Sequence, residues 1–170
     1  MHPLVFLAKK SVEMFVKKGE IISPPADFPL EFLTKQGGVF VTIEKNGSLR
    51  GCIGTYLPLQ QNIAQEVIYN AISAASEDYR FDPVKEEELP FLSYFVYLLD
   101  PPELVKSLDE LNPQKYGILV KTKNKSGLLL PSLPGIETKE EQISLACQKA
   151  GINPEKESFL VYKFSAKKLQ

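Results

Sequence analysis

An α+β protein with largely antiparallel sheets is predicted by three features of the sequence. Two β-rich runs, VFVTIEK at 39–45 and SLRGCIG at 48–54, flank Asn46-Gly47, the dipeptide favoured in type I′ hairpin turns. Three other stretches place apolar residues at helical spacing, giving about three main helices. The order strand, strand, helix, strand then occurs twice, which suits an α+β architecture. Overlaying Gly38-Val39 on Gly117-Ile118 puts Leu49 on Leu128 with little identity, so duplication is an expectation about architecture only. The expected organisation is a single domain over 1–170, with subdomains at 1–105 and 106–170.

Taken in order, Pro3 to Lys18 carries Leu4, Leu7, Ala8, Ser11, Val12 and Phe15 on one face with lysines opposite, and Gly19 stands as the stop. Prolines in SPPADFP make Ile21 to Pro29 a loop, followed by a short irregular approach to Gly38. After the hairpin, Ile63, Ala64, Val67, Ile68, Ala71, Ile72 and Ala75 share a helical face from near Leu59 to near Glu77. FLSYFVYLLD at 91–100 reads as a strand stopped by Pro101-Pro102. The second round has strands at 116–123 and 127–131, a helix at 138–150 and a strand at 158–165. Thr138 and Glu141 form a capping-box pair at that helix's start, and Gly151 marks its end.

Composition excludes much chemistry. With Cys52 and Cys147 the only cysteines, there is neither a disulfide framework nor a CxxC pair. His2 is the only histidine, which removes Ser-His-Asp and Cys-His catalysis within the chain and HExxH metal sites. GxGxxG and GxxxxGK[ST] are absent, and no cofactor or metal is expected. The net charge of −1, with lysines scattered among acids, disfavours nucleic acid. Apolar runs such as FVYLL fall far short of the roughly 18 residues of a membrane span, and MHPLVFLAKK lacks a basic n-region. The reading is a soluble, unexported, cytoplasmic protein.

Only two of the 20 basic residues are arginine, Arg50 and Arg80, which suggests a planar guanidinium is needed there. Counting back from the turn puts Ile43 opposite Arg50, Val41 opposite Cys52 and Val39 opposite Gly54, with Phe40, Leu49 and Ile53 on the other face. A guanidinium on so apolar a ribbon needs an acidic partner, carbonyls or a ligand anion; Glu77 and Asp78 are the partners considered. Gly51 and Gly54 weaken a strand unless backbone or ligand comes close, making RGCIG the expected wall of a site. Tyr94 and Tyr97 fall on opposite strand faces, Cys147 on a packed helix face, and the EKNG and KEEE runs read as solvated.

LRGCIGT at 49–55, with GVFVTIEKNG before it, SEDYRF at 76–81, EEELP at 86–90 and GLLLP at 127–131, resembles the AMMECR domain family, whose prokaryotic members include AmmeMemoRadiSam system protein A. The LRGCIG motif is carried over on Leu49, Arg50, Gly51, Cys52, Ile53 and Gly54. Tyr79 stands where relatives often have proline, and Ser132 where they often have glutamine. The resemblance implies a mixed α+β fold with two subdomains, and a role beside a Memo-like and a radical SAM protein; it supplies no established reaction.

Three functional readings follow. The first is a binding module or accessory subunit in which Arg50, Gly51, Gly54, Glu77, Asp78 and Arg80 form a pocket for a small anionic ligand or a protein partner. The alternative is a small enzyme with Cys52 as nucleophile and Arg50 orienting an anionic substrate, a scheme that lacks a histidine base. The third treats the motif as a folding determinant.

Overall fold

The computed structural model describes residues 1–170, which form two compact units: Met1–Leu99 with Lys167–Gln170, and Asp100–Ala166. The fold is mixed α+β, as the sequence predicts, and each of its two antiparallel sheets has four strands, one more than the strand-strand-helix-strand reading gives.

The first unit begins with helix α1, Pro3–Lys18, whose Leu4, Val5, Leu7, Ala8 and Val12 are buried. His2 caps it: the ring Nδ1 accepts the Leu4 N–H, while burial and nearby positive charge push the imidazole below its ordinary pKa. The sole histidine is thus a helix cap. A short helix, α2 at Leu30–Thr34, occupies what the sequence suggests is an irregular approach, because the chain is already free of proline after Pro29. Strands β1 (Gly38–Lys45) and β2 (Ser48–Thr55) form the expected hairpin, with Asn46 and Gly47 at φ 52° and 80°. Helix α3, Ile63–Ser76, starts later than the apolar pattern suggests because Asn62 caps it, accepting the Gln65 N–H. Strand β3, Leu92–Leu99, pairs antiparallel with β1 along its whole length.

The sheet order is β2-β1-β3-β8, where β8 is Ala166–Leu169, a short edge strand with no marker in the sequence. Helices α1 and α3 cover one face, and Val39, Val41 and Ile43 beneath them are completely buried.

In the second unit a two-residue strand β4 (Glu103–Leu104), β5 (Gly117–Lys121), β6 (Ser126–Leu129) and β7 (Leu160–Phe164) make a sheet of order β4-β7-β5-β6. Helix α4, Lys139–Ala150, runs from the Thr138–Glu141 capping box to Gly151 and covers β5 and β6. Cys147 is buried in that core, which pushes its thiol pKa up. No helix of the chain is long and apolar enough to cross a membrane.

Candidate functional site

The hairpin register decides how the motif residues point. Lys45 pairs with Ser48 and Glu44 with Leu49, but Ile43 then pairs with Gly51, so Arg50 is an extra residue inserted as a β-bulge. Beyond it every side chain of β2 is on the opposite face from the one simple counting gives. Ile53 joins the buried face with Val41, and Cys52 comes opposite Thr42 on the other face, its Sγ 3.3 Å from the Thr42 hydroxyl. The expectation that Arg50 and Cys52 share a face with Val39, Val41 and Ile43 is therefore wrong, because a bulge leaves no mark in an alternation pattern.

Freed from the ladder, Arg50 lies over the hairpin end with a side chain only 14% exposed. Its Nε and Nη2 donate to the two oxygens of Glu88 at 3.0 and 2.9 Å. Lys45 Nζ and the Lys85 N–H donate to the same carboxylate, which thus receives four hydrogen bonds. Bonding to Arg50 above all holds the Glu88 pKa down to about 2. The partner of Arg50 is Glu88, and neither Glu77 nor Asp78. Glu77 is an exposed residue at the end of α3. Glu88 belongs to the KEEE run that reads as solvated; its only sequence signal is the EEELP segment of the family resemblance.

Asp78 is buried and mirrors Glu88. Its oxygens accept from Arg80 Nε and Nη2 at 2.9 and 2.7 Å, from the Arg80 backbone N–H, and from the Cys52 N–H at 2.9 Å. The guanidinium of Arg80 is the main reason its pKa falls to about 2. The bond to Cys52 occupies an N–H on edge strand β2 that no neighbouring strand is placed to take. Asp78 also opens the turn that closes with the Phe81 N–H on its carbonyl; Tyr79 occupies the second position, where proline is favoured, and is 95% exposed. Tyrosine is tolerated there because its side chain meets only solvent.

The two arginines flank one ring: the guanidinium carbons of Arg50 and Arg80 lie 5.9 and 5.5 Å from the centre of Phe81. Lys45 and Arg50 share the Glu88 carboxylate, and Arg80 pairs with Asp78. Of the two arginines Arg80 is the accessible one, with 42% of its side chain exposed, and it interacts electrostatically with Cys52.

The glycines have structural neighbours. A Cβ on Gly51 would collide with the Ala74 carbonyl oxygen of α3, and one on Gly54 with the Phe40 ring. Gly51 therefore lies where a helix backbone approaches the strand. At the far end of the motif, a group with no place in the sequence reading appears. Glu66 of α3, 2% exposed, accepts the Thr55 hydroxyl and the Leu59 and Gln60 N–H groups, and Asn70 donates to the Val39 carbonyl. A glutamate on the apolar face of a helical pattern is the signal that could have found it. No group of three or more histidine, cysteine and acidic residues is placed to hold a metal ion.

Chemically, both carboxylates are saturated with donors and held far below neutrality, so neither fits a general base near pH 7.

A family model described as AMMECR1 matches residues 5–169, nearly the whole chain. The chain belongs to the AMMECR1 family. Among its AMMECR1 relatives, a protein of Thermotoga maritima is 44% identical over 98% of this chain and 97% of its own length. Protein CA_C1420 of Clostridium acetobutylicum is 43% identical over 95% of this chain, but the match spans only 34% of that longer protein. The crystal structure of the uncharacterized protein PH0010 from Pyrococcus horikoshii superposes with a TM-score of 0.90 at 37% identity, covering 97% of this chain and 88% of that one.

Proposed function

We propose that this AMMECR1 domain is a binding module that accepts a small anionic group on Arg80, beside Cys52 and the hydroxyl of Thr42. The observation that carries the reading is the asymmetry between the two arginines. Arg50 is shielded and bound bidentately by Glu88. Arg80 has two of its nitrogens fixed by Asp78 and 42% of its side chain exposed. A guanidinium whose one edge is oriented by a carboxylate presents the other edge preorganised, so little rotamer entropy is lost when an anion docks. Arg50 stays in its pair with Glu88, and Asp78 positions both Arg80 and the Cys52 backbone. As an accessory subunit, such a module works beside a second polypeptide, with the radical SAM and Memo-like proteins of the family resemblance as partners. The longer Clostridium acetobutylicum relative, which carries this domain within a larger chain, supports that mode of use.

The test is an NMR titration with inorganic phosphate and with acetate, followed at the Cys52 and Arg80 amides. Saturable shifts there, weakened at least about tenfold in Arg80→Lys and unaffected by Lys10→Gln, support the reading, since a point charge does not replace a fork. Equal binding by Arg80→Lys ends it.

A second reading, Cys52 as nucleophile, is favoured by its partial exposure beside the cation of Arg80. It predicts alkylation of the folded protein with a pH midpoint below the ordinary thiol value of about 8.5, while Cys147 stays protected. If Cys52 labels only after unfolding, the nucleophile is excluded.

A further inference from the structure

A cleft wholly within the second unit opens at the edge where Lys121 of β5 pairs with Leu160 of β7. Its volume is about 470 Å³, in the range of small-molecule sites, and its walls are Lys121, Thr122, Lys123, Ser158, Phe159, Leu160 and Tyr162. Lys121 and Leu160 are direct neighbours across the sheet, so an ammonium and an apolar side chain stand side by side at its floor. Leu160 is 52% exposed, an unusual position for a leucine on a strand.

The electrostatics are one-sided. Both charged residues of the wall are lysines, and neither Lys121 nor Lys123 is in an ion pair. The nearest acid along these segments, Glu157, is already engaged: its Oε1 pairs with Lys125 Nζ at 2.7 Å and its Oε2 accepts the Asn153 N–H. That pair also ties together the two segments that carry the walls, because Lys125 lies two residues past Lys123 and Glu157 precedes Ser158. The turn carrying Lys123 is fixed from within. The Thr122 N–H donates to the Lys125 carbonyl, and Thr122 Oγ1 accepts from the Asn124 and Lys125 N–H groups. The two free cations thus sit on a held backbone beside Ser158, Phe159, Leu160 and Tyr162.

From this juxtaposition we infer that the β5–β7 cleft binds a small amphiphilic anion, a phosphate or carboxylate attached to an aromatic or aliphatic body. The lysines and hydroxyls receive the anionic head, and Phe159, Leu160 and Tyr162 cover the body. The site is separate from the Arg80 site and does not depend on it.

Titration of the full-length chain with phenyl phosphate, benzoate, inorganic phosphate and phenol tests the inference by NMR. Expected are saturable shifts confined to amides 121–124 and 158–162. Phenyl phosphate or benzoate should bind at least about fivefold more tightly than inorganic phosphate and than phenol, and the better of the two identifies the head group. Lys121→Gln with Lys123→Gln should weaken that binding at least about tenfold while the remaining spectrum stays unchanged, and Lys10→Gln should have no effect. Undiminished binding by the double variant, or inorganic phosphate binding as tightly as both aryl anions, overturns the proposal, as does the absence of shifts at these amides with every probe.

Discussion

Both units lay a helix across a hairpin so closely that a glycine must lie beneath it, yet only the first surrounds the hairpin with bidentate ion pairs. The sheets run in the same order, second hairpin strand, first hairpin strand, third strand, then a short extra strand: β2-β1-β3-β8 and β6-β5-β7-β4. Gly51 lies under the Ala74 carbonyl of α3, and Gly127 under the Ala146 carbonyl of α4. Asn62 caps one helix and Thr138 the other, and four residues past each cap comes a buried polar side chain, Glu66 or Gln142. No single offset aligns the halves, since Gly38 matches Gly117 whereas Gly51 matches Gly127; the hairpins differ in length. What the second unit lacks is any counterpart of the Arg50–Glu88 and Asp78–Arg80 pairs. Gly51 of RGCIG is thereby explained by packing alone, and the charged groups around it are what remains for function to explain.

The largest effect expected from this comparison is at the paired glycines. Gly51→Ala drives a methyl into the Ala74 carbonyl, and Gly127→Ala drives one into that of Ala146, where Ala150 also crowds. Backbone cannot swing aside as a long side chain can, so each should cost roughly 3 kcal/mol or more, at the severe end of overpacking. Urea denaturation measures it. A loss in one unit without the other would break the equivalence of the two contacts.

Next come the buried polar residues after the caps. Glu66→Leu keeps the volume but strands three donors, the Thr55 hydroxyl and the Leu59 and Gln60 N–H groups, and should cost about 3 kcal/mol. Gln142 donates one bond, to the Tyr116 carbonyl, and its Oε1 has no partner. Gln142→Leu removes that orphan as well as the bond, so about 1 kcal/mol or less is expected. Equal losses would mean that position alone, and not the number of bonds, sets the stake.

Much of this was legible beforehand where the signal is local. Helix α1 runs over the residues its apolar spacing and Gly19 indicate, and Asn46-Gly47 makes its turn. What was hidden is non-local. The Arg50 bulge arises because a guanidinium is pulled out of the ladder toward Glu88, 38 positions further on, and no periodicity records such a partner. Strands β4 and β8 are two and four residues long, too short to alternate visibly. Of the site residues, Asp78 and Arg80 do come together with Cys52, whereas Glu77 does not; Glu88 and Phe81 stand in segments of the family resemblance, but their contacts with the arginines, and the role of Glu66, became visible only in three dimensions.

The ion pair that distinguishes the first unit should show itself in acid. Glu88 has a folded pKa of about 2 against an ordinary 4.5, so its stabilisation is complete above about pH 4.5 and is lost as the pH falls toward 2. Glu88→Gln should therefore cost about 2 kcal/mol at pH 7, in the range for charge-assisted hydrogen bonds, and progressively less below pH 4.5. Stability curves of the two proteins against pH should converge near pH 2. Curves that stay parallel throughout would show that the Arg50–Glu88 pair is held by packing and not by charge.

The smallest effect is expected at the hairpin turns, and there the units differ in kind. Gly47 sits at φ 80°, where an alanine is strained but meets no neighbour, so Gly47→Ala should cost about 1 kcal/mol. The turn at Thr122–Lys125 contains no residue of positive φ and depends on the Thr122 hydroxyl, so Thr122→Ala should cost a similar amount through lost hydrogen bonds. In the first unit the register should survive the strained turn, because Glu88 grips the bulged Arg50 and Asp78 grips the Cys52 N–H independently of it. Hydrogen exchange at the Cys52 amide decides the matter. Unchanged protection in Gly47→Ala means that the ion pairs set the register, whereas accelerated exchange there, beyond the global loss of stability, would return that role to the turn.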